Sequence, residues 1–301
     1  MYTDHLGCCW YKGNLHCHTT RSDGRVSPEE CMARYHHAGY DFLAISDHWA
    51  PYIPGEEFYK GMLLLSGCEY DVSCARQYYS SGRTAIFHIN GVGFSSAPKP
   101  EKTPSPAPQA IIDGIRDAGG IATFNHPAWS HNIPDDIRDL KHLAGLEIYN
   151  TLCGFGSLHF ADSSWYVDQL ALGGMLVPVM ASDDAHHYTG EECRSFIMVQ
   201  AAALNRESIL DAINAGCFYA SQGPWVHVEQ IEQGGPRLRI TCSPAAEITV
   251  FAGVCVDGRF RSGELLTGAE YKLSPETAWY RVEITDEKGR KAWTSPTEVK
   301  R

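Results

Sequence analysis

The sequence predicts an α/β fold with a mainly parallel sheet, open or closed into a barrel, followed by a small antiparallel β-sandwich. Short apolar runs alternate with helix-like segments over residues 1–223, the pattern of strands linked by helical crossovers. Past Gln222-Gly223-Pro224 the texture changes to alternating, β-rich runs separated by Gly, Pro and Asp turns. Histidines and acids recur at the ends of the predicted strands, where parallel α/β folds gather their sites. The chain therefore divides into residues 1–223 and 224–301.

In order, the strands expected in the first part are Tyr11–Thr19, Phe42–His48, Met62–Asp71, Thr84–Val92, Ile121–His126, Gly145–Tyr149, Leu176–Ser182 and Ser195–Gln200. Ser27-Pro28-Glu29-Glu30 has the capping-box pattern with Pro at the first helical position and opens a helix toward Gly39. Pro108–Ala118 and Asn205–Ala215 read as helices stopped by Gly119-Gly120 and Gly216. Ser95–Pro108 holds five prolines and reads as an extended loop. In the second part the strands are Val226–Ile231, Arg237–Cys242, Glu247–Ala252, Tyr271–Leu273, Trp279–Thr285 and Lys291–Thr294.

Composition narrows the function classes. Lys and Arg number 25 against 36 Asp and Glu, a net charge of −11, which argues against wrapping long nucleic acid or lying on anionic lipid. No apolar run reaches the ~20 residues of a membrane span. No signal peptide is expected at the N-terminus. The eleven cysteines form no Cys-x-x-Cys pair, so reduced thiols packed in a cytoplasmic protein are expected rather than a zinc ribbon.

Of 14 histidines, six fall at or just past predicted strand ends: His16, His18, His48, His88, His126 and His186. Asp23, Asp47, Glu69, Asp183 and Asp184 occupy matching places. On a strand, residues i and i+2 share a side, so His16 and His18 can grip one cation. Asp184-Ala185-His186 repeats the spacing near the other end of the region. Imidazole and carboxylate offered from six strand ends to one face is a metal-site pattern.

The ordered set His16-Cys17-His18, Ser22-Asp23-Gly24, Ser46-Asp47-His48, Glu69, His88, Asn125-His126-Pro127 and Ser182-Asp183-Asp184-Ala185-His186 resembles the PHP (polymerase and histidinol phosphatase) family. It is especially similar to the family's stand-alone metal-dependent phosphoesterases with a C-terminal β-domain. The resemblance spans essentially the whole chain. It implies a distorted (β/α)7 barrel with two or three divalent ions (Mn, Fe or Zn) at the strand ends. It allocates His16, His18, Glu69 and Asp184 to a first ion. Glu69 bridges to a second with His88 and His126, and Asp23, His48 and His186 hold a third. Asp184, Glu69 and His186 are the residues expected to carry catalysis.

The charge sum points to an anionic substrate. Three divalent ions bring +6 and Asp23, Glu69 and Asp184 bring −3, leaving about +3, a complement to a phosphate dianion. The expected reaction is hydrolysis of a small phosphomonoester, a nucleotide among the candidates, by metal-bound hydroxide. The alternatives are a non-phosphate ester, amide or carbamate, or trimming of oligonucleotide ends. Cys17 is expected to pack away from the metals. Asp47 and Asp183 are expected to orient imidazoles through their second nitrogens. Arg21, His187 and Arg194 are the candidate phosphate contacts, and Asn150 lines the pocket. Oligomeric state and the role of residues 224–301 are left open.

Overall fold

A computed structural model of the chain describes every residue except 1, 4–6, 78–83, 100–105, 157–158, 233–234 and 254. The strand Cys9–Asn14 runs parallel to Phe42–Ala44, which runs parallel to Met62–Leu65. On its other side Cys9–Asn14 pairs antiparallel with Phe196–Gln200. That sheet continues through Phe218–Ser221 and Lys291–Trp293 into Trp279–Thr285, Glu247–Ala252 and Cys255–Phe260. A second sheet runs Val179–Ser182, Leu143–Asn150, Ile121–Phe124, Thr84–Val92 and Gly67–Gln77. Its first three strands are parallel and its last two antiparallel.

The fold is thus mixed α/β, with fewer parallel pairs than expected. Gly67–Gln77 and Thr84–Val92 are separated by residues 78–83 alone, too few for a parallel crossover, which needs a dozen or more. Nor does a (β/α)7 ladder close. Among the described residues the two sheets meet through the lone bridges Cys17–Ala185, His48–Glu69 and Tyr52–Gly67.

The apolar run expected as one strand from Met62 to Asp71 breaks at Ser66. A Cβ on Gly67 would lie 2.3 Å from the Ile45 carbonyl oxygen. Glycine alone lets the chain pass there from the first sheet to the second, and this crossing delivers Glu69 to the interface.

Helices fill the space around the sheets. Pro28–His37 starts at Ser27, whose hydroxyl accepts from the Glu30 amide at 3.2 Å. Pro108–Asp117 and Arg206–Asn214 form where expected and bury their isoleucines. Ser164–Leu172, which opens on Trp165-Tyr166-Val167, residues of modest helix propensity, was not expected; Tyr166, Val167 and Leu170 pack on the second sheet and stabilise it. None of the described helices is long and apolar enough to cross a membrane.

Toward the C-terminus every pairing is antiparallel. Val226–Ile231, Arg237–Ala245 and Leu266–Lys272 form a third sheet. It faces Glu247–Ala252 and Trp279–Thr285 across a core that includes Leu238, Ile240, Val250, Val282 and Ile284. Cys255–Phe260 is an additional strand that the sequence pattern did not signal.

Candidate metal centre

His16 and His18 lie just past the last ladder residue of Cys9–Asn14. The Asp184 amide donates to the His16 carbonyl and the His18 amide to the Ala185 carbonyl, each at 2.9 Å, which holds the segment extended. Both imidazoles then face one side. Cys17 is buried, its Sγ 3.7 Å from Cys31 Sγ. Asp23 sits on a loop folded back over His18: a Cβ on Gly24 would lie 2.4 Å from the His18 carbonyl carbon. Asp184-Ala185-His186 differs from the expected strand pair, because Asp184 has φ +54°. His126 also lies in positive φ, at +26°. Such backbone is uncommon outside glycine and concentrates at functional sites. His88 is in the middle of Thr84–Val92 rather than at a strand end, and reaches the site because that strand runs antiparallel beside Glu69.

The side chains converge. His16 Nε2 is 3.0 Å from Asp184 Oδ1 and 3.2 Å from Glu69 Oε2. His18 Nε2 is 3.1 Å from each of the same two oxygens. Glu69 Oε1 faces His88 Nδ1 at 3.1 Å and His126 Nε2 at 3.5 Å. His186 Nε2 and His48 Nε2 face Asp23 Oδ2 at 3.3 and 3.9 Å. His18 joins that last group, its Nδ1 3.7 Å from Asp23 Oδ1.

These close approaches do not satisfy hydrogen bonding. His16 Nε2, both ring nitrogens of His18 and Asp184 Oδ1 are buried without a hydrogen-bond partner. Left so, they would carry a large desolvation cost. Ligands about 2.0–2.2 Å from one cation stand about 3.0–3.5 Å apart along the edges of a tetrahedron or octahedron, which is the spacing seen. The donor set and its unbonded atoms fit a divalent ion.

Electrostatics tell the same story. Burial alone would raise Glu69 and Asp184, but His16 and its neighbouring imidazoles hold both well below the usual carboxylate range. Burial would likewise lower His16 and His18. The Asp184 and Glu69 carboxylates override it, raising His16 well above its ordinary value and His18 to about 9. Bonded to His186, Asp23 is also lowered, whereas burial lowers His48. Without a cation, protons are drawn to the places a cation would take.

Over 98% of its length the chain superposes on 97% of a two-domain protein from Bacteroides vulgatus containing a predicted PHP-like metal-dependent phosphoesterase, with a TM-score of 0.53 at 16% identity. The fold is PHP-like. A candidate metal-dependent phosphoesterase from Bifidobacterium adolescentis gives a TM-score of 0.38 at 14% identity, covering 58% of this chain and 87% of its own. An amidohydrolase from Chromobacterium violaceum, with sulfate bound and no metal, gives 0.42 at 17% identity over 60% of this chain and 89% of its own. No family model matches the sequence, and neither does any curated protein.

Around this site the supporting residues differ from expectation. Among the described residues Asp47 bonds no imidazole: it accepts from the Thr19 amide and hydroxyl and the Ser22 hydroxyl, each at 2.7 Å, fixing the loop before Asp23. Asp183 accepts from the amides of Cys193, Arg194 and Ser195, and burial raises it to about 6. Both are loop anchors. The carboxylate that orients an imidazole is Glu147, whose Oε1 lies 2.7 Å from His16 Nδ1 and whose Oε2 accepts from the His126 amide at 3.0 Å. Its one sequence signal is a charge inside the apolar run Gly145–Tyr149, which a buried strand tolerates only when the charge is partnered. Asn150 donates to Glu147 and Asp184, and Asn125 to Glu69.

The site opens into a cavity of about 300 Å³ lined by His48, His88, Trp129, Leu152 and His187, among others. Of the three basic candidates, His187 lies on that wall. Arg21 instead donates to the Pro51 carbonyl, and Arg194 lines a separate cavity.

Proposed function

We propose that the protein is a metal-dependent phosphoesterase that hydrolyses a small phosphomonoester of mononucleotide size or less. The reading rests on one observation above all: buried His16, His18, Glu69 and Asp184 converge on a common point at coordination-edge spacing, with His16 Nε2, both His18 ring nitrogens and Asp184 Oδ1 unbonded. We assign His16, His18, Glu69 and Asp184 to one ion, Glu69, His88 and His126 to a second, and Asp23, His48 and His186 to a third; Mn, Fe and Zn suit these mixed N/O sets. Residues 1–223, a split, distorted barrel whose first sheet runs on into the C-terminal strands, form the hydrolase, and 224–301 an accessory domain. The nine cysteines that are free among the described residues suit a cytoplasmic enzyme.

When bound, such ions neutralise a phosphate dianion and lower the pKa of a water toward 7. The chain's own groups prepare for this. Glu147 holds the proton of His16 on Nδ1, so the Nε2 lone pair faces Glu69 and Asp184. The Asp184 carbonyl, 2.7 Å from His186 Nδ1, does the same for His186 and leaves its Nε2 toward Asp23. Ser130 Oγ, 3.1 Å from His126 Nδ1, fixes that ring. Asn125 and Asn150 steady the carboxylates of Glu69 and Asp184. Trp129 and Leu152 supply apolar walls to the cavity, and the exposed His187 stands at the rim for the substrate's anionic group.

Elemental analysis of metal-replete protein and a phosphomonoester screen with and without chelator test this. The expected result is at least about one ion per chain and turnover abolished by chelation. Metal-free protein with no chelator-sensitive turnover would refute the reading. Turnover of amides or esters in place of phosphates would overturn the substrate class alone.

A further inference from the structure

Alternation on Cys9–Asn14 and Phe196–Gln200 turns Tyr11, Ile197 and Val199 into the core between the sheets. Lys12, Phe196 and Met198 face the other way. On that side lies a cavity of about 760 Å³, more than twice the volume of the one over the metal centre and within the range of small-molecule sites. Phe155, Arg194, Tyr219 and Trp225 complete its walls.

Its lining combines flat rings with positive charge. The ammonium of Lys12 is 3.9 Å from the Tyr40 ring centre and 4.6 Å from that of Phe196, and burial lowers its pKa. The guanidinium of Arg194 is 5.9 Å from the Phe155 ring. Arg290 adds a third cation, offset by Asp286 at 2.8 Å, and Asp41 is the one carboxylate among the lining residues. The sum is cationic in a chain whose net charge is −11. A half-buried ammonium at Lys12 and an exposed guanidinium at Arg194, each beside an aromatic face, favour an anion carrying a planar ring.

The turn that separates the two cavities serves both. Leu152 and Cys153 line the metal cavity, whereas Thr151, Gly154 and Phe155 line this one. The two cavities have no lining residue in common.

We propose that this cavity is a second ligand site, which takes a planar aromatic ring bearing one anionic group, of mononucleotide size. It stands independently of the metal reading. The probe is the phosphonate analogue of AMP, whose carbon–phosphorus bond resists hydrolysis, titrated calorimetrically into the full metal-loaded chain with and without saturating inorganic phosphate. One equivalent is expected to persist in phosphate. Lys12→Met and Arg194→Ala should each weaken that equivalent about tenfold or more, the loss of a charged contact. Ribose 5-phosphate, which lacks the ring, should bind there at least about tenfold more weakly. If all binding disappears in phosphate, or the persisting equivalent is unchanged in both variants, the proposal fails. If only the phosphate-sensitive equivalent is missing, the metal-centre reading fails and this one stands.

Discussion

His16 Nδ1 lies 2.7 Å from Glu147 Oε1, and both side chains are buried. The contact fixes the tautomer of a histidine whose other nitrogen has no hydrogen-bond partner. Orienting partners of this kind are typically worth about 10–100-fold in metal affinity or activity. Glu147→Gln keeps the shape and removes the charge. It should weaken metal binding by about that factor, measured by competition with a chromophoric chelator, while leaving the far-UV spectrum unchanged. Unaltered affinity would show that Glu147 serves packing alone.

Asp184 supplies an oxygen to both His16 and His18 and sits in left-handed backbone. Asp184→Asn removes one charge from the set and is tolerated by that backbone. Turnover should fall at least about 100-fold with the fold intact, and bound metal should drop in elemental analysis. Turnover near that of the parent would refute its place in the first ligand set.

The pH response of the metal-free protein should oppose that of the loaded one. The folded-state pKa of His18 is about 9, above the ~6.5 of an unfolded histidine. Its contribution is therefore complete below ~6.5 and is lost as pH rises through about 9. His16 is raised in the same sense, while Glu69 and Asp184 are lowered and lose their contribution only in acid. The melting temperature of chelated protein should fall between pH 7 and about 9.5. Metal displaces those protons, so uptake at pH 7 should release them and affinity should weaken toward pH 6. Calorimetry in two buffers of different ionisation enthalpy reads the release. Proton-neutral uptake would be inconsistent with the cluster described.

What the sequence made legible follows from spacing. His16 and His18 are separated by one residue on an extended segment, so their shared side is implied before any fold is known. Glu69 and Asp184 stand out as charges beside apolar runs. Glu147 carries the same mark, but nothing local says whether a buried carboxylate faces a metal or a histidine. That depends on His16, far away in sequence. Asp47 and Asp183 misled for the converse reason: adjacency to a metal-site histidine or carboxylate in the chain puts successive side chains on opposite sides. The departure from a closed parallel barrel was unreadable because it depends on the antiparallel pairing of Gly67–Gln77 with Thr84–Val92 and on the crossing at Gly67, and hydrophobic pattern is blind to strand direction.

Helix Ser164–Leu172 and strand Trp279–Thr285 are joined by the ion pair of Asp168 and Arg281. Arg281 is fully buried, donates to both Asp168 oxygens at 2.6 and 2.8 Å, and stacks with its Cζ 3.7 Å from the Phe251 ring centre. Its remaining nitrogen, Nη1, has no hydrogen-bond partner and lies 3.6 Å from Glu283. Asp168→Ala strands the guanidinium in the interior and should cost about 3–5 kcal/mol, whereas replacing both partners with apolar residues of similar volume should cost much less. Denaturant titration of the two variants makes the comparison. Equal losses would mean that Arg281 contributes through its stem and the Phe251 stack rather than through the ion pair.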